Sequence, residues 1–435
     1  MLRILIISCY LLKAKTRKTL ELGDILGDIE LRIFRRGVLA LIAALLGGLD
    51  GAVADEVSEK IAFFGESRLR LETADEDAQP SDAVGLTLLL RPAVEYRFSS
   101  RLSALVEGEA LFAIVDDFND GTGNRPDRPI ILDPNGLELN RALLQYAVTP
   151  QTFVTLGRQR LSIDDQRFIG PAAFRQNDQT FDGVHVSSSS FGASTFQAGY
   201  FNRVNRPLGA DNPAGRFRGD SYYFNGNIPT PFGRLGAFHY AFDLGTDGPT
   251  LQDNIFSSRT SGFRLDGRYH KDEYGVDWEA AFARQRDFAD NPTDYSANYW
   301  LLGVQGFIGP ARLIGRFESF GADEEQSFQT PLGTLHRFQG AADIFLITPE
   351  EGLQDLEFAG RWNFGRTGPF RNISTAISYH LFEPETGGPR FGQEVDFDVS
   401  VSFDRFTVAF IAAYYDADTF ATDTRRFFLS LTHRF

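Results

Sequence analysis

Hydrophobic and polar residues alternate along the chain from about residue 60 to the C terminus. In residues 395–403, valine and phenylalanine occupy every second position, with Asp396, Asp398, Ser400 and Ser402 between them. A period of two indicates a β-strand with one apolar and one polar face, whereas an amphipathic helix repeats every 3.6 residues. The pattern therefore predicts an all-β protein in which each strand has one apolar face.

The connections between these segments are alternately short and long. Short turns are predicted near residues 98–101, 149–151, 187–192, 229–233, 270–275, 307–311, 365–369 and 403–405. Long loops are predicted near residues 75–82, 116–137, 162–180, 204–219, 245–256, 287–293, 320–352, 383–390 and 416–423. This layout gives about 18 strands. It is typical of a transmembrane antiparallel up-and-down β-barrel of the bacterial outer membrane, with short periplasmic turns and long extracellular loops.

Such a barrel places its apolar strand faces against the lipid bilayer and its polar faces around a lumen. The inward set that the alternation predicts has charges of both signs, and includes Glu107, Glu109, Arg264, Asp266 and Arg268. We therefore expect a water-filled passage unless the long loops fill it. The 320–352 loop is apolar for a surface loop, which predicts either a lid over the barrel mouth or an additional strand. Its role could be to gate the pore, and the simpler interpretation is a plug that narrows it.

The first 54 residues differ from the rest of the chain. A basic segment at 32–36 precedes an apolar stretch at 38–49, and the small residues Ala52-Val53-Ala54 follow. This order is that of a secretory signal peptide, and the apolar stretch is too short to span a bilayer. We predict cleavage after Ala54, which leaves residues 55–435 as the barrel domain. Residues 1–31 are then an upstream extension, most simply explained by a start codon assigned too far upstream.

Composition excludes several function classes. The formal charge of −15 argues against a nucleic-acid partner, because such proteins need a basic surface. The single cysteine excludes a disulfide framework, and the six histidines have no metal-ligand spacing, so we expect no cofactor. His185 and Ser187 share a strand face, as a base and its nucleophile do, so a lipid-modifying barrel enzyme is a remote alternative.

Three longer motifs are more specific than the alternation. They are Gly157-Arg158-Gln159-Arg160 continuing to Phe181-Asp182-Gly183, residues 328–353, and Tyr415-Asp416-Ala417-Asp418-Thr419-Phe420-Ala421. Together they resemble the alginate-export family of outer-membrane barrels, along essentially the whole mature chain. The resemblance implies a monomeric barrel that passes an anionic polysaccharide, or a smaller uronate-type solute, through an arginine-lined constriction. It also implies a periplasmic export scaffold as a partner. The terminal strand that ends on Phe435 resembles the recognition signal of outer-membrane barrels, so the barrel-assembly machinery is a further expected partner.

Arginines on and beside the 162–180 loop are the candidate contacts for the solute. The candidates are Arg158, Arg160, Arg167 and Arg175, with Arg141 as a weaker one, and Asp165, Asp178 and Asp182 are expected to hold them in ion pairs. A guanidinium binds a carboxylate through two parallel hydrogen bonds. Several weak binding sites in series allow an ion to pass from one to the next without being trapped. The alternative interpretation is that these ion pairs only fix a loop inside the barrel.

One feature separates the chain from the export pattern. The best-known exporters have a long periplasmic plug loop between their sixteenth and seventeenth strands, whereas the corresponding turn here is only Phe403-Asp404-Arg405-Phe406. A general or nutrient diffusion porin is therefore the alternative function. The acidic residues Asp75, Glu76 and Asp77 are weak calcium candidates, or contacts to lipopolysaccharide through divalent ions, and a solvated anionic loop is the simpler interpretation.

Overall fold

The structure, a computed structural model, describes residues 60–246, 253–324 and 326–435, so the predicted signal peptide and upstream extension lie outside it. The strands are β1 Ile61–Glu76, β2 Ala83–Arg97, β3 Leu102–Asp117, β4 Gly136–Thr149, β5 Thr152–Gln159, β6 Thr180–Phe191, β7 Ser194–Asn205, β8 Arg216–Thr230, β9 Gly233–Phe242, β10 Gly245–Thr246, β11 Ser258–Lys271, β12 Tyr274–Asp287, β13 Ser296–Ile308, β14 Ala311–Phe320, β15 Leu353–Thr367, β16 Phe370–Glu383, β17 Gly392–Phe403, β18 Phe406–Ala417 and β19 Thr424–Arg434. One 3-10 turn spans Leu335–Arg337. Among the described residues, no helix is long and apolar enough to cross a membrane.

The eighteen long strands form one closed antiparallel sheet. Each pairs with its neighbours in chain order, β9 pairs with β11, and the two-residue β10 pairs with β8. Closure brings β1 against β19, where Gly65 and Phe435 exchange backbone hydrogen bonds of 2.9 and 3.1 Å. A closed sheet leaves no unpaired edge, as a bilayer requires. The predicted all-β barrel of about 18 strands is confirmed.

The outer wall is apolar and the strands alternate as the sequence indicates. On β13, Trp300, Leu302 and Val304 are 52, 59 and 52% exposed. Tyr299 and Leu301, which alternate with them, are buried. The exposed set forms the lipid-facing surface, and the buried set points into the barrel. Connections also alternate as predicted, from two-residue turns such as 404–405 to long loops such as 118–135.

Two long loops fold into the barrel and pack against each other. We call residues 160–179 the first inner loop and residues 321–352 the second inner loop. The Gly170 N–H donates to the Leu332 carbonyl at 2.8 Å, and the Thr334 N–H donates to the Gln166 carbonyl at 2.9 Å. Both loops contribute to the buried hydrophobic core, which therefore lies inside the barrel. The lumen is a packed interior with residual cavities, not an open pore.

Candidate functional site

Arginines of the barrel wall hold the first inner loop through its backbone. Arg68 and Arg70 on β1 donate to the Phe174 carbonyl at 3.1 and 2.6 Å, and Arg70 also lies over the Phe174 ring. Arg91 on β2 donates to the Gln176 carbonyl at 2.9 Å. None of these three arginines is among the predicted solute contacts. For Arg68 and Arg70, alternation with the outward Leu69 and Leu71 was the available signal for an inward orientation.

Two of the predicted solute contacts, Arg167 and Arg175, are buried in ion pairs. Arg167 is 2% exposed and donates to Glu318 on β14 at 2.7 Å. Arg175 donates to Glu72 on β1 at 3.3 Å and to Asp343 of the second inner loop. Burial alone would lower the pKa of Arg175, but the opposing charges of Asp343 and Glu72 raise it. Both side chains are buried and tie the inner loops to acidic partners, so in this structure neither is exposed to the cavity.

Arg141 and Arg160 share one carboxylate, that of Glu107 on β3. Arg141 donates to it through Nε at 2.9 Å, and Arg160 donates through Nη2 at 3.0 Å. Arg160 also contacts Asp178, which in turn lies 3.1 Å from Arg91. The predicted pinning of Arg160 by Asp178 is therefore present. Both arginines remain partly exposed, but each already has an acidic partner.

Arg158 lies on the opposite side of the wall from the lumen. Leu156, two residues earlier on β5, is 54% exposed, and Arg158 pairs in register with Asp182 on β6. The two side chains form a bidentate ion pair of 2.7 and 2.9 Å. Gly157, which precedes Arg158 on β5, has φ 118° and packs against the Ala142 carbonyl, where a Cβ would collide. Arg158 and Asp182 therefore form an outer-face pair and not part of a solute path.

Asp165 joins the first inner loop to the far wall. It contacts Arg264 on β11 and lies 3.8 Å from Arg316 on β14. Burial alone would raise the pKa of Asp165, but the adjacent Arg264 lowers it. The neighbouring Asp164 accepts hydrogen bonds from Asn225 at 2.6 Å. The first inner loop therefore crosses the lumen from β1 and β2 to β8, β11 and β14.

A cavity of about 870 Å³, which we call the central cavity, lies where both inner loops meet the wall. Six arginines line it, namely Arg234, Arg264, Arg268, Arg316, Arg337 and Arg361. Five acidic residues line it, namely Asp165, Asp266, Asp277, Glu279 and Glu357. The near-equal numbers suggest a neutral cavity. The cavity is not neutral, however, because the ion pairs are distributed unevenly among these side chains.

Most of the acidic residues of the central cavity are already paired. Arg264 contacts Asp165, Asp266 and Glu279, and Arg234 lies 3.2 Å from Asp266. Within the described ranges, Arg268, Arg337 and Arg361 have no carboxylate within 4.0 Å. The lining acids without an arginine partner at that distance are Asp277, which contacts His270, and Glu357. The cavity therefore presents three cationic groups to any solute that enters it.

Only part of this set could be foreseen. The alternation on β11 predicts that Arg268 points inward with Arg264 and Asp266, but it does not say which of them is paired. Arg337 lies on a loop, and its position near Phe338, at 5.7 Å from the ring centroid, depends on how the second inner loop folds. No sequence signal separated these arginines from those buried in ion pairs.

The enzyme and metal candidates have other contacts. The Nδ1 atom of His185 lies 2.5 Å from the Tyr223 hydroxyl. Asp75 lies 2.9 Å from Arg425, and Glu76 lies 2.9 Å from Arg426. In the part of the chain that the structure describes, no group of three or more histidine, cysteine or acidic residues is placed to hold a metal ion.

Solved outer-membrane channels of the OprD/Occ type, which are not enzymes, have a similar fold. OpdK of Pseudomonas aeruginosa, solved with vanillate, aligns with a TM-score of 0.63 and 14% identity over 86% of this chain and 98% of its own. OccK2 (OpdF) of the same species, solved with glucuronate, aligns with a TM-score of 0.60 and 13% identity over 86% and 98%. OccAB2 of Acinetobacter baumannii aligns with a TM-score of 0.65 and 15% identity over 86% and 98%.

At these identities the likeness shows the fold, a closed 18-strand barrel of the outer-membrane type. The sequence matches no protein-family model and no curated protein. The resemblance to the alginate-export family therefore stays an expectation from the sequence motifs, and the function has to be argued from the cavity.

Proposed function

We propose that the protein is a passive outer-membrane channel for small solutes that carry a carboxylate group. One observation carries the proposal: Arg268, Arg337 and Arg361 line the central cavity without an acidic partner at ion-pair distance among the described residues. Guanidinium groups can replace the water around a passing carboxylate, and low-dielectric walls strengthen the attraction. Vanillate and glucuronate, present in two similar structures, are both small carboxylates, which supports this solute class.

The filled lumen favours a small solute over a polymer. The first inner loop spans the barrel and is hydrogen-bonded to the second, so a polysaccharide would have to displace both. Passage of an anionic polysaccharide, which the alginate-export resemblance implies, requires a state with both loops withdrawn. A general diffusion porin would need no cationic site and would show weak selectivity.

The proposal is tested by conductance in planar bilayers with protein purified from outer membranes. Under a salt gradient, we expect a reversal potential that favours anions, and block by millimolar glucuronate or benzoate. Replacement of two unpaired arginines, Arg268→Gln with Arg361→Gln, should lower the anion-to-cation permeability ratio about tenfold, because two fixed charges leave the path. A single replacement should have a smaller effect in the same direction.

Arg158→Ala is the matched control, since it removes an arginine from the outer face and leaves the cavity intact. Its anion selectivity should equal that of the unchanged protein. Unselective conductance that is indifferent to carboxylates would contradict the proposal and favour the diffusion porin. Block by oligouronates but not by monomers would favour the polymer conduit.

A further inference from the structure

A second cavity adjoins the central cavity and lies towards the short turns of the barrel. Its volume is about 580 Å³, and Gln305 and Arg361 line both cavities. Arg361 is exposed to this shared space. Its positive charge interacts with the carboxylates of Glu357 in the central cavity and Asp398 in the second. A solute whose carboxylate contacts Arg361 would therefore place the rest of its atoms in one of these two spaces. We call the second space the hydroxyl-lined cavity, for the reason that follows.

The inward side chains of this cavity are small and mostly polar on β16 and β17, while Ala409 and Ile411 on β18 form an apolar side and Arg312 on β14 adds a second guanidinium. On β16, Ile377 is 56% exposed on the outer face, so Ser374 and Ala376 face inward. On β17, Phe397 is 38% exposed, so Asp398 and Ser400 face inward. The register places Ser374 opposite Ser400 and Ala376 opposite Asp398, so the two strands present a continuous inner surface of hydroxyl and carboxylate groups.

Neighbouring strands extend the same surface. Asn363 on β15 pairs with Ser374, and Arg361 pairs with Ala376. One patch of wall therefore combines an arginine, two hydroxyls, an amide and a carboxylate. Each of these groups donates or accepts hydrogen bonds, and within the described residues neither Ser374 nor Ser400 has a side-chain hydrogen bond.

The aromatic residues that border the cavity turn away from it. Trp362 shares a strand face with Phe358, which is 55% exposed, and Phe410 shares a face with Tyr414, which is 40% exposed. Their rings therefore belong to the outer wall. An aromatic acid would find no ring face here against which to stack, and its own ring would desolvate the serine hydroxyls without replacing their hydrogen bonds with water.

From this arrangement we infer that the channel selects polyhydroxylated carboxylates, such as sugar acids, over aromatic carboxylates. Arg361 binds the carboxylate, while Ser374, Ser400 and Asn363 bind the hydroxyls, and Asp398 accepts a hydrogen bond from one of them. A site built to bind solute hydroxyls discriminates strongly against analogues that lack them, because its polar groups are then left unpaired. The inference rests on the proposed function, since it names the solute class of the same arginine-lined path.

The test compares glucuronate with benzoate, two monoanions that differ in hydroxyl content. In planar bilayers with protein from outer membranes, the measured quantity is the concentration of each acid that halves the chloride current. Glucuronate should act at a concentration at least tenfold lower than benzoate. The double replacement of Ser374→Ala and Ser400→Ala should weaken glucuronate about three- to tenfold per lost hydrogen bond and leave benzoate unchanged.

Ser402→Ala is the matched control, because Ser402 follows Ser400 on the same face of β17 but its hydroxyl lies 3.1 Å from that of Thr407. This variant should bind both acids as the unchanged protein does. Equal potency of the two acids, or an equal loss of both in the serine double variant, would overturn the inference while the channel proposal stands. If neither acid affects the current in the unchanged protein, the proposed function itself fails.

Discussion

The two sides of the barrel interior hold the first inner loop by different forces. Towards β8–β14, Phe168 lies 5.0 Å from Phe238, 5.5 Å from Tyr299 and 6.1 Å from Phe328, measured between ring centroids. Towards β1, the same loop is held by Arg68 and Arg70 on its carbonyls and by the Arg175–Glu72 ion pair. One end of the loop is therefore packed in an aromatic core, and the other is fixed by buried charges.

This difference matters because the two kinds of contact respond to different conditions. Aromatic packing depends on shape and buried area, and not on the charge of any group. A buried ion pair depends on both partners being charged, and the loss of one leaves the other uncompensated. We therefore expect that any opening of the passage begins at the β1 side. The aromatic side would act as a fixed end.

The largest effect is expected from Glu72→Ala. Glu72 is 1% exposed and contacts Arg175 at 3.3 Å and Arg426 at 3.4 Å, so its loss leaves two buried cations without this partner. The free energy of unfolding in urea should fall by about 3–5 kcal/mol. Proteolysis should cut the first inner loop faster than in the unchanged protein. A variant as stable and as protease-resistant as the parent would show that the charges do not hold the loop.

A smaller effect is expected from Phe168→Leu, which removes the ring at the centre of the aromatic side but keeps an apolar side chain. The free energy of unfolding should fall by about 1–2 kcal/mol, as for a typical core substitution. Protease resistance of the part of the first inner loop held by β1, near Phe174, should stay that of the unchanged protein, whereas Glu72→Ala should lower it. Equal loss of resistance there in both variants would remove the distinction between the two sides.

The smallest effect is expected from a change of pH near neutrality. The group concerned is Asp343 of the second inner loop, which is protonated only at low pH. Burial alone would raise its pKa, but His336 and Arg175 lower it below the ordinary value near 3.9. A carboxyl whose pKa is lowered on folding contributes stability above the unfolded pKa, and that stability is lost as the pH falls through the folded pKa. Protease resistance of the second inner loop should therefore be constant from pH 7 to 5 and decline below about pH 4.

Loss of resistance between pH 7 and 5 would contradict the assignment to Asp343. His336 is the neighbour to replace, since its ring stacks on Phe174 at 3.3 Å and its Nδ1 atom lies 2.8 Å from Asp343. Because His336 is one of the groups that lower the pKa of Asp343, His336→Gln should make the decline below about pH 4 smaller.

The sequence by itself determined the wall of this protein. Strand alternation depends only on neighbours two positions apart, and turn length depends only on a few consecutive residues, so both are local. From them the strand number, the order of short and long connections and the inward set on β11 could all be predicted. The apolar outer face could also be predicted, because the outward residues of every strand face the same lipid environment.

Only the tertiary structure decided what fills the barrel and which arginines remain available. Arg167 and Arg361 are the same residue type, but Arg167 has Glu318 as its partner across the lumen, whereas Arg361 faces a cavity. Glu318 lies 151 residues from Arg167 along the chain, so no local pattern indicates this pairing. The charge that the cavity presents is what remains after long-range ion pairs form, and that remainder exists only in the folded barrel.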